Sequence, residues 1–170
     1  MPIEKDLLAQ FINPVFIETG TYQGNTVQKA VELGFETIYS IEVDPALHAK
    51  AVERFSGAPN VHLLCGDTIE VLPQILRELD QPATFWLDAH AISPQYVGNH
   101  PVPIMQELAM IAEHPIRTHC ILIDDRRMLE PAWRIPERQV YDAILRINPN
   151  YKITLGPGVI PDDVIIASAA

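Results

Sequence analysis

Apolar residues recur along this chain in two rhythms. Short runs rich in β-branched and aromatic side chains, VFIET (15–19), TIYSIEV (37–43), NVHLLCG (60–66), ATFWLDA (83–89) and THCILID (118–124), read as strands. Between them the spacing lengthens to that of helices. In NTVQKAVELG (25–34), Thr26, Val27, Ala30, Val31 and Leu33 supply one apolar face, and Gly34 is placed to stop the helix. Asp44 followed by Pro45 gives an N-cap and a first-turn proline, opening a helix that runs to about Arg54. TIEVLPQILREL (68–79) is helical with Pro73 early in it. A polar loop (93–103) leads into the helix IMQELAMIAEH (104–114). Beyond the fifth strand, 126–138 reads as a loop with short turns. The helix VYDAILRIN (140–148) follows, then two strands, YKITLG (151–156) and DVIIAS (163–168), joined closely enough to pair as a hairpin. Alternating strands and helices, with strands apolar on both sides, predict helices on both faces of one sheet. The expected fold is α/β: a Rossmann-like, doubly wound, mostly parallel seven-stranded sheet ending in an antiparallel hairpin, as one domain over 1–170.

Composition narrows what such a domain does. No apolar run approaches the ~18 residues of a membrane span, so no membrane partner is expected. The first residues, MPIEKDLLAQFINP, mix in acidic side chains and do not read as a secretory signal. A cytoplasmic location follows, with Cys65 and Cys120, each inside an apolar run, as buried reduced thiols. The net charge is −10, from 12 Lys+Arg against 22 Asp+Glu. Such a surface repels a phosphate backbone, so the expected partner is a small molecule and not a nucleic acid. Arg126, Arg127, Arg134 and Arg138 suit a small anionic group at most.

The first strand-to-helix turn, Glu18-Thr-Gly20-Thr21-Tyr22-Gln-Gly24-Asn25-Thr26, holds the most chemistry. Ligands of doubly wound sheets sit at the carboxyl ends of strands, where this turn would face them. Gly20 and Gly24 allow a sharp turn and close approach. Glu18 can accept from a cationic amino group, and the amides near Asn25 and Thr26 can hold a carboxylate. Glu42, 22 positions after Gly20, ends the second strand where an acidic residue grips ribose hydroxyls. Gly66-Asp67 ends the third, placed to border a base, with a plain helix N-cap as the other reading of Asp67. The spacing is not G-x-G-x-x-G, which argues against a nicotinamide cofactor.

Together E-T-G-T-Y-Q-G, S-I-E-V-D-P and C-G-D resemble the successive cofactor motifs of class I S-adenosylmethionine-dependent methyltransferases. That resemblance implies that Glu18, Gly20 and Gly24 line the methionine moiety, Glu42 the ribose and Asp67 the adenine. Tyr22 stands where many members carry Gly, and would narrow the cradle or lean over the cofactor.

Strand four ends in Asp88-Ala-His90 and strand five in Asp124-Asp125. If these strands are neighbours, three carboxylates and an imidazole converge beside the cofactor, at a cost unless a cation or proton is shared. Oxygen-rich clusters suit Mg²⁺, and an added His admits Mn²⁺ or Fe²⁺. Capping by Asp88 and pairing of Asp124 with Arg126 or Arg127 are the structural alternatives. The pattern is similar to metal-dependent O-methyltransferases of the catechol O-methyltransferase and macrocin types, which implies Asp88, Asp124 and Asp125 as Mg²⁺ ligands. The leading expectation is metal-assisted O-methylation of a small molecule, with His90 or Asp88 taking the proton and His100 a more remote candidate. With no N-terminal helical extension expected, only loops 91–103 and 126–138 remain to build a substrate pocket, with Tyr96, Met128 and Trp133 as candidate walls. A homodimer would complete it. A non-catalytic S-adenosylmethionine-binding domain, and a metal-dependent hydroxylase or hydrolase using Asp88, Asp124 and Asp125, are the rivals.

Overall fold

The structure, a computed structural model, describes residues 3–90 and 98–169. Seven strands, β1 (Val15–Thr19), β2 (Thr37–Glu42), β3 (Val61–Cys65), β4 (Ala83–Leu87), β5 (Cys120–Ile123), β6 (Lys152–Gly156) and β7 (Val164–Ser168), form one sheet in the order β3-β2-β1-β4-β5-β7-β6. The first five run parallel; β7 pairs antiparallel with both β5 and β6. The Rossmann-like sheet with its terminal hairpin is therefore as expected, and β4 and β5 are neighbours. The chain order reverses at β1 and β4, so the crevice opens where those two strands end.

Alternate strand residues serve different layers. Val15, Ile17, Phe85 and Leu87 pack with α4 (Thr68–Glu78), α5 (Ile104–Glu113) and α6 (Glu137–Ile147) on one face. Phe16 and Trp86 face α1 (Lys5–Leu8), α2 (Asn25–Leu33) and Phe55, just beyond α3 (Pro45–Arg54), on the other. Gly34 ends α2 at φ 80, and Asp44 caps α3 by accepting from the Ala46 and Leu47 amides, both as expected. Pro73 lies inside α4, as read. No described helix is long and apolar enough to cross a membrane.

Three expectations are corrected. The N-terminal segment does carry a helix, α1, whose four residues are too few to show a period; Leu7 and Leu8 anchor it. The last helix begins at Glu137, three residues early, because Pro136 is extended and Glu137 sits favourably in the first turn. Cys65 is exposed, and Cys120 half-buried; both are free thiols. Strand β3 is an edge with one neighbour, so its apolar run does not imply enclosure.

Two buried histidines fasten the far end of the sheet. The Ala83 amide donates to His119 Nδ1 (3.0 Å), so the His119 proton is on Nε2 and is given to His114 Nδ1 (3.0 Å). His114 Nε2 then donates to the Leu79 carbonyl (3.0 Å). Burial, then His114, hold His119 down at about 4. Above pH 6.5 His119 holds the same protons in the folded and unfolded chains; between 6.5 and 4 only the unfolded chain gains one there. His119→Asn is therefore expected to remove this one source of acid sensitivity. Between pH 7 and 4.5 the wild type should lose about 2 kcal/mol relative to that variant, measured by denaturant titration at both pH values.

Candidate active site

The turn after β1 is drawn against β2: the Gly20 and Thr21 amides both donate to the Ile41 carbonyl (2.9 and 3.0 Å). Gly20 adopts φ 91 and Gly24 φ 74, which L side chains rarely adopt. A Cβ at Gly20 would lie 2.7 Å from the Asp88 carbonyl oxygen, and one at Gly24 would lie 2.7 Å from the Phe55 ring. Tyr22 is also left-handed, at φ 48, with its ring half exposed. Its role is in the backbone, where its amide donates to Glu42 Oε2 (2.6 Å). Asn25 opens α2 and holds Arg54 Nη1 (3.0 Å). Gly24, the N-cap of α2, has no side chain to cap the helix's first amides.

Glu18 is buried on the α2 side of β1, 1% exposed. Ser40 Oγ donates to its Oε2 (2.5 Å) and in turn accepts from Thr21 Oγ1 (2.6 Å). Burial outweighs the hydroxyls of Ser40 and Thr26 and pushes the Glu18 carboxyl up to about 8, with Asp88 and Glu42 adding to the rise. Glu42 Oε1 takes the Asp44 amide (2.9 Å), leaving a nearly buried carboxylate with further acceptor capacity. Asp67 is a helix N-cap (Ile69 amide, 3.0 Å) and more: its second oxygen holds the Asn99 amide (3.0 Å) and His100 Nδ1 (3.1 Å). His100 thus meets the Asp67 end of the crevice.

The ends of β4 and β5 do come together, with different partners from those expected. His90 lies between two carboxylates, Nδ1 3.3 Å from Asp88 and Nε2 3.0 Å from Asp125. Only a doubly protonated ring donates to both. These two carboxylates outweigh the opposing effect of burial and raise His90 to about 9. His90 is accordingly the resident cation of the cluster. Ligand-bearing atoms of Asp88, His90 and Asp125 lie within 4.8 Å of one another; so do those of Asp124, Asp125 and Asp163. Asp88, Asp124 and Asp125 form no such group among the described residues. Asp124 still feels Asp88: burial, then that charge, pushes its carboxyl up to about 6.

Of the four arginines read as suiting an anion, Arg134 and Arg138 are exposed, and Arg126 and Arg127 are already paired. Arg126 pairs with Glu137 (2.9 Å); Arg127 pairs with Asp125 (2.5 Å) and with the fully buried Asp163. Asp125 stands at φ 60, and Trp133 lies over His90 with ring centroids 5.3 Å apart. A hollow of about 310 Å³ runs along the same loop, bounded by Glu130, Arg134 and Pro136. Tyr96 lies outside the described residues. Sequence reasoning missed Ser40, Glu107 and Asp163. Glu107 alone left a signal, as a carboxylate on the Ile104–Leu108–Ile111 face of α5.

No protein-family model matches this chain, nor does any curated protein match it by sequence. Solved structures do. An O-methyltransferase from Bacillus cereus in complex with S-adenosylhomocysteine superposes with TM-score 0.67 at 16% identity, over 98% of this chain and 78% of that one. The S-adenosylhomocysteine-bound methyltransferase PaMTH1 of Podospora anserina gives 0.63 at 15%, over 98% and 74%. An rRNA methylase from Streptococcus thermophilus gives 0.58 at 15%, over 97% and 93%. The fold is the Rossmann-like fold of S-adenosylmethionine-dependent methyltransferases.

Proposed function

We propose that this protein is an S-adenosylmethionine-dependent methyltransferase that methylates a hydroxyl oxygen of a small molecule with the help of a divalent cation. The observation that carries this reading is the placement of Glu18, Glu42, Asp67 and Asp88 at or just beyond the carboxyl ends of four adjacent parallel strands, with one tight glycine turn following the first of them. The bound cofactor supplies a methyl group on a sulfonium, a donor already activated for transfer. Glu18 and the first amides of α2 would hold its ammonium and carboxylate, Glu42 its ribose hydroxyls and Asp67 its base. Asp88, with one oxygen engaged by His90, takes the proton of the acceptor hydroxyl. The donor set of Asp88, His90 and Asp125 fits a cation that accepts mixed oxygen and nitrogen ligands, in place of the imidazolium proton. Such an ion would supply Lewis acidity to the same hydroxyl.

A small acceptor is favoured over a nucleic acid because Arg126 and Arg127 are consumed by internal carboxylates on a chain of net charge −10. Calorimetric titration with S-adenosylmethionine, with and without Mg²⁺ and with NAD as control, tests the reading. Micromolar affinity, about −8 kcal/mol at 1 μM, is expected for S-adenosylmethionine alone. Glu18 must surrender a proton to meet the ammonium, so affinity should rise more than tenfold, and up to about fiftyfold, between pH 6 and 8. Glu18→Gln should flatten that rise. Absence of binding by the wild type would remove the assignment.

A further inference from the structure

Glu107 is the one carboxylate on the buried face of α5, 1% exposed among Ile104, Leu108 and Ile111. None of the roles above uses it. An unpaired carboxyl in such a place is costly, so its partners are informative. Thr68 Oγ1, on the first residue of α4, donates to Glu107 Oε1 (3.0 Å). The Thr19 hydroxyl favours the ionised form of the same carboxyl. Thr19 also accepts the Asp88 amide, at its carbonyl (3.1 Å) and its hydroxyl oxygen (3.3 Å). Thr68 directly follows Asp67, whose carboxylate caps α4. One buried side chain therefore reaches both walls of the crevice: Asp67 through Thr68, and Asp88 through Thr19.

We infer that Glu107 is a positioning residue, which ties the end of β1 to the start of α4 and so sets the separation of Asp67 and Asp88. The inference rests on the methyltransferase reading, since it is the span between base and reacting methyl that these two aspartates border. Burial pushes Glu107 up to about 7, against its two hydroxyl donors, and Asp67 and Asp88 add to the rise. An acid held near neutrality can sit between two carboxylates where a fixed charge would drive them apart. A residue needed only for packing would be better replaced by an apolar one of similar volume.

Two variants separate these roles, with S-adenosylhomocysteine as the calorimetric probe and thermal melting alongside. Glu107→Gln keeps an oxygen for both hydroxyls and should bind within threefold of wild type. Glu107→Leu should melt no lower than wild type yet bind at least tenfold more weakly. Wild-type affinity in Glu107→Leu, or equal losses in the two variants, would overturn the role. If Glu107→Leu does not fold, Thr68→Val serves, leaving the carboxyl in place: a severalfold loss supports the tie and unchanged affinity overturns it. A flat isotherm for the wild-type protein would instead overturn the cofactor reading itself, and this inference with it.

Discussion

Asp88→Asn is expected to lower turnover roughly a thousandfold, within the range that a positioned base contributes, while the protein melts within a few degrees of wild type. Two features make this variant clean. The bonds that fix the Asp88 main chain run from its amide to Thr19, so the side-chain change leaves them in place. Asparagine also keeps an oxygen for His90 Nδ1 while losing the charge and the basicity. Asp125→Asn is the companion: its left-handed backbone at φ 60 is one that asparagine tolerates, so a loss there reports the missing charge beside His90 and Arg127 and not backbone strain. Removing either charge should bring His90 down from about 9, because these two carboxylates are what raise it. The measurement is single-turnover methylation of a hydroxylated acceptor, with ring titration of His90 by NMR. Turnover within threefold of wild type in Asp88→Asn would take Asp88 out of the proton-accepting role.

That prediction depends on a pairing that the linear sequence half reveals. Asp88 and Asp124-Asp125 are legible as strand ends because the apolar runs before them are unmistakable, and the glycine turn with Glu42 follows from strand order alone. What stays hidden is set by contacts between elements far apart in the chain. Asp163 enters because β7 inserts between β5 and β6, which brings it onto Arg127. With that partner fixed, Arg127 is no longer available for an anion. Ser40 is hidden for a related reason: as the register partner of Glu18 it is one more polar residue in a strand until the pairing is known. His90 shows the other kind of limit. Its position was legible, but its protonation depends on carboxylates flanking both nitrogens, a matter of geometry. Cys65 misleads because periodicity reports an apolar run and not how many neighbours a strand has.

The second large effect concerns the turn itself. Gly20→Ala is expected to abolish measurable S-adenosylmethionine binding, a loss of at least a hundredfold, and to destabilise the fold by about 1–3 kcal/mol. At φ 91 the residue is already where a side chain strains the backbone. The added methyl would also lie 2.7 Å from the Asp88 carbonyl oxygen, 3.1 Å from its carbonyl carbon and 3.4 Å from Ala89 Cα. All three are main-chain atoms, so no rotamer change relieves the collision. Either the turn leaves the Ile41 carbonyl that holds it, or the end of β4 moves, and both displace residues assigned to the cofactor. Gly34→Ala is the internal control, because Gly34 has a similar φ of 80 with nothing within 4 Å of its added Cβ. It should cost about 1–2 kcal/mol of backbone strain and leave binding untouched. Calorimetry and denaturant titration on the pair separate strain from collision. If Gly20→Ala binds as tightly as Gly34→Ala, the close approach of the first turn to β4 is not what shapes the cofactor crevice.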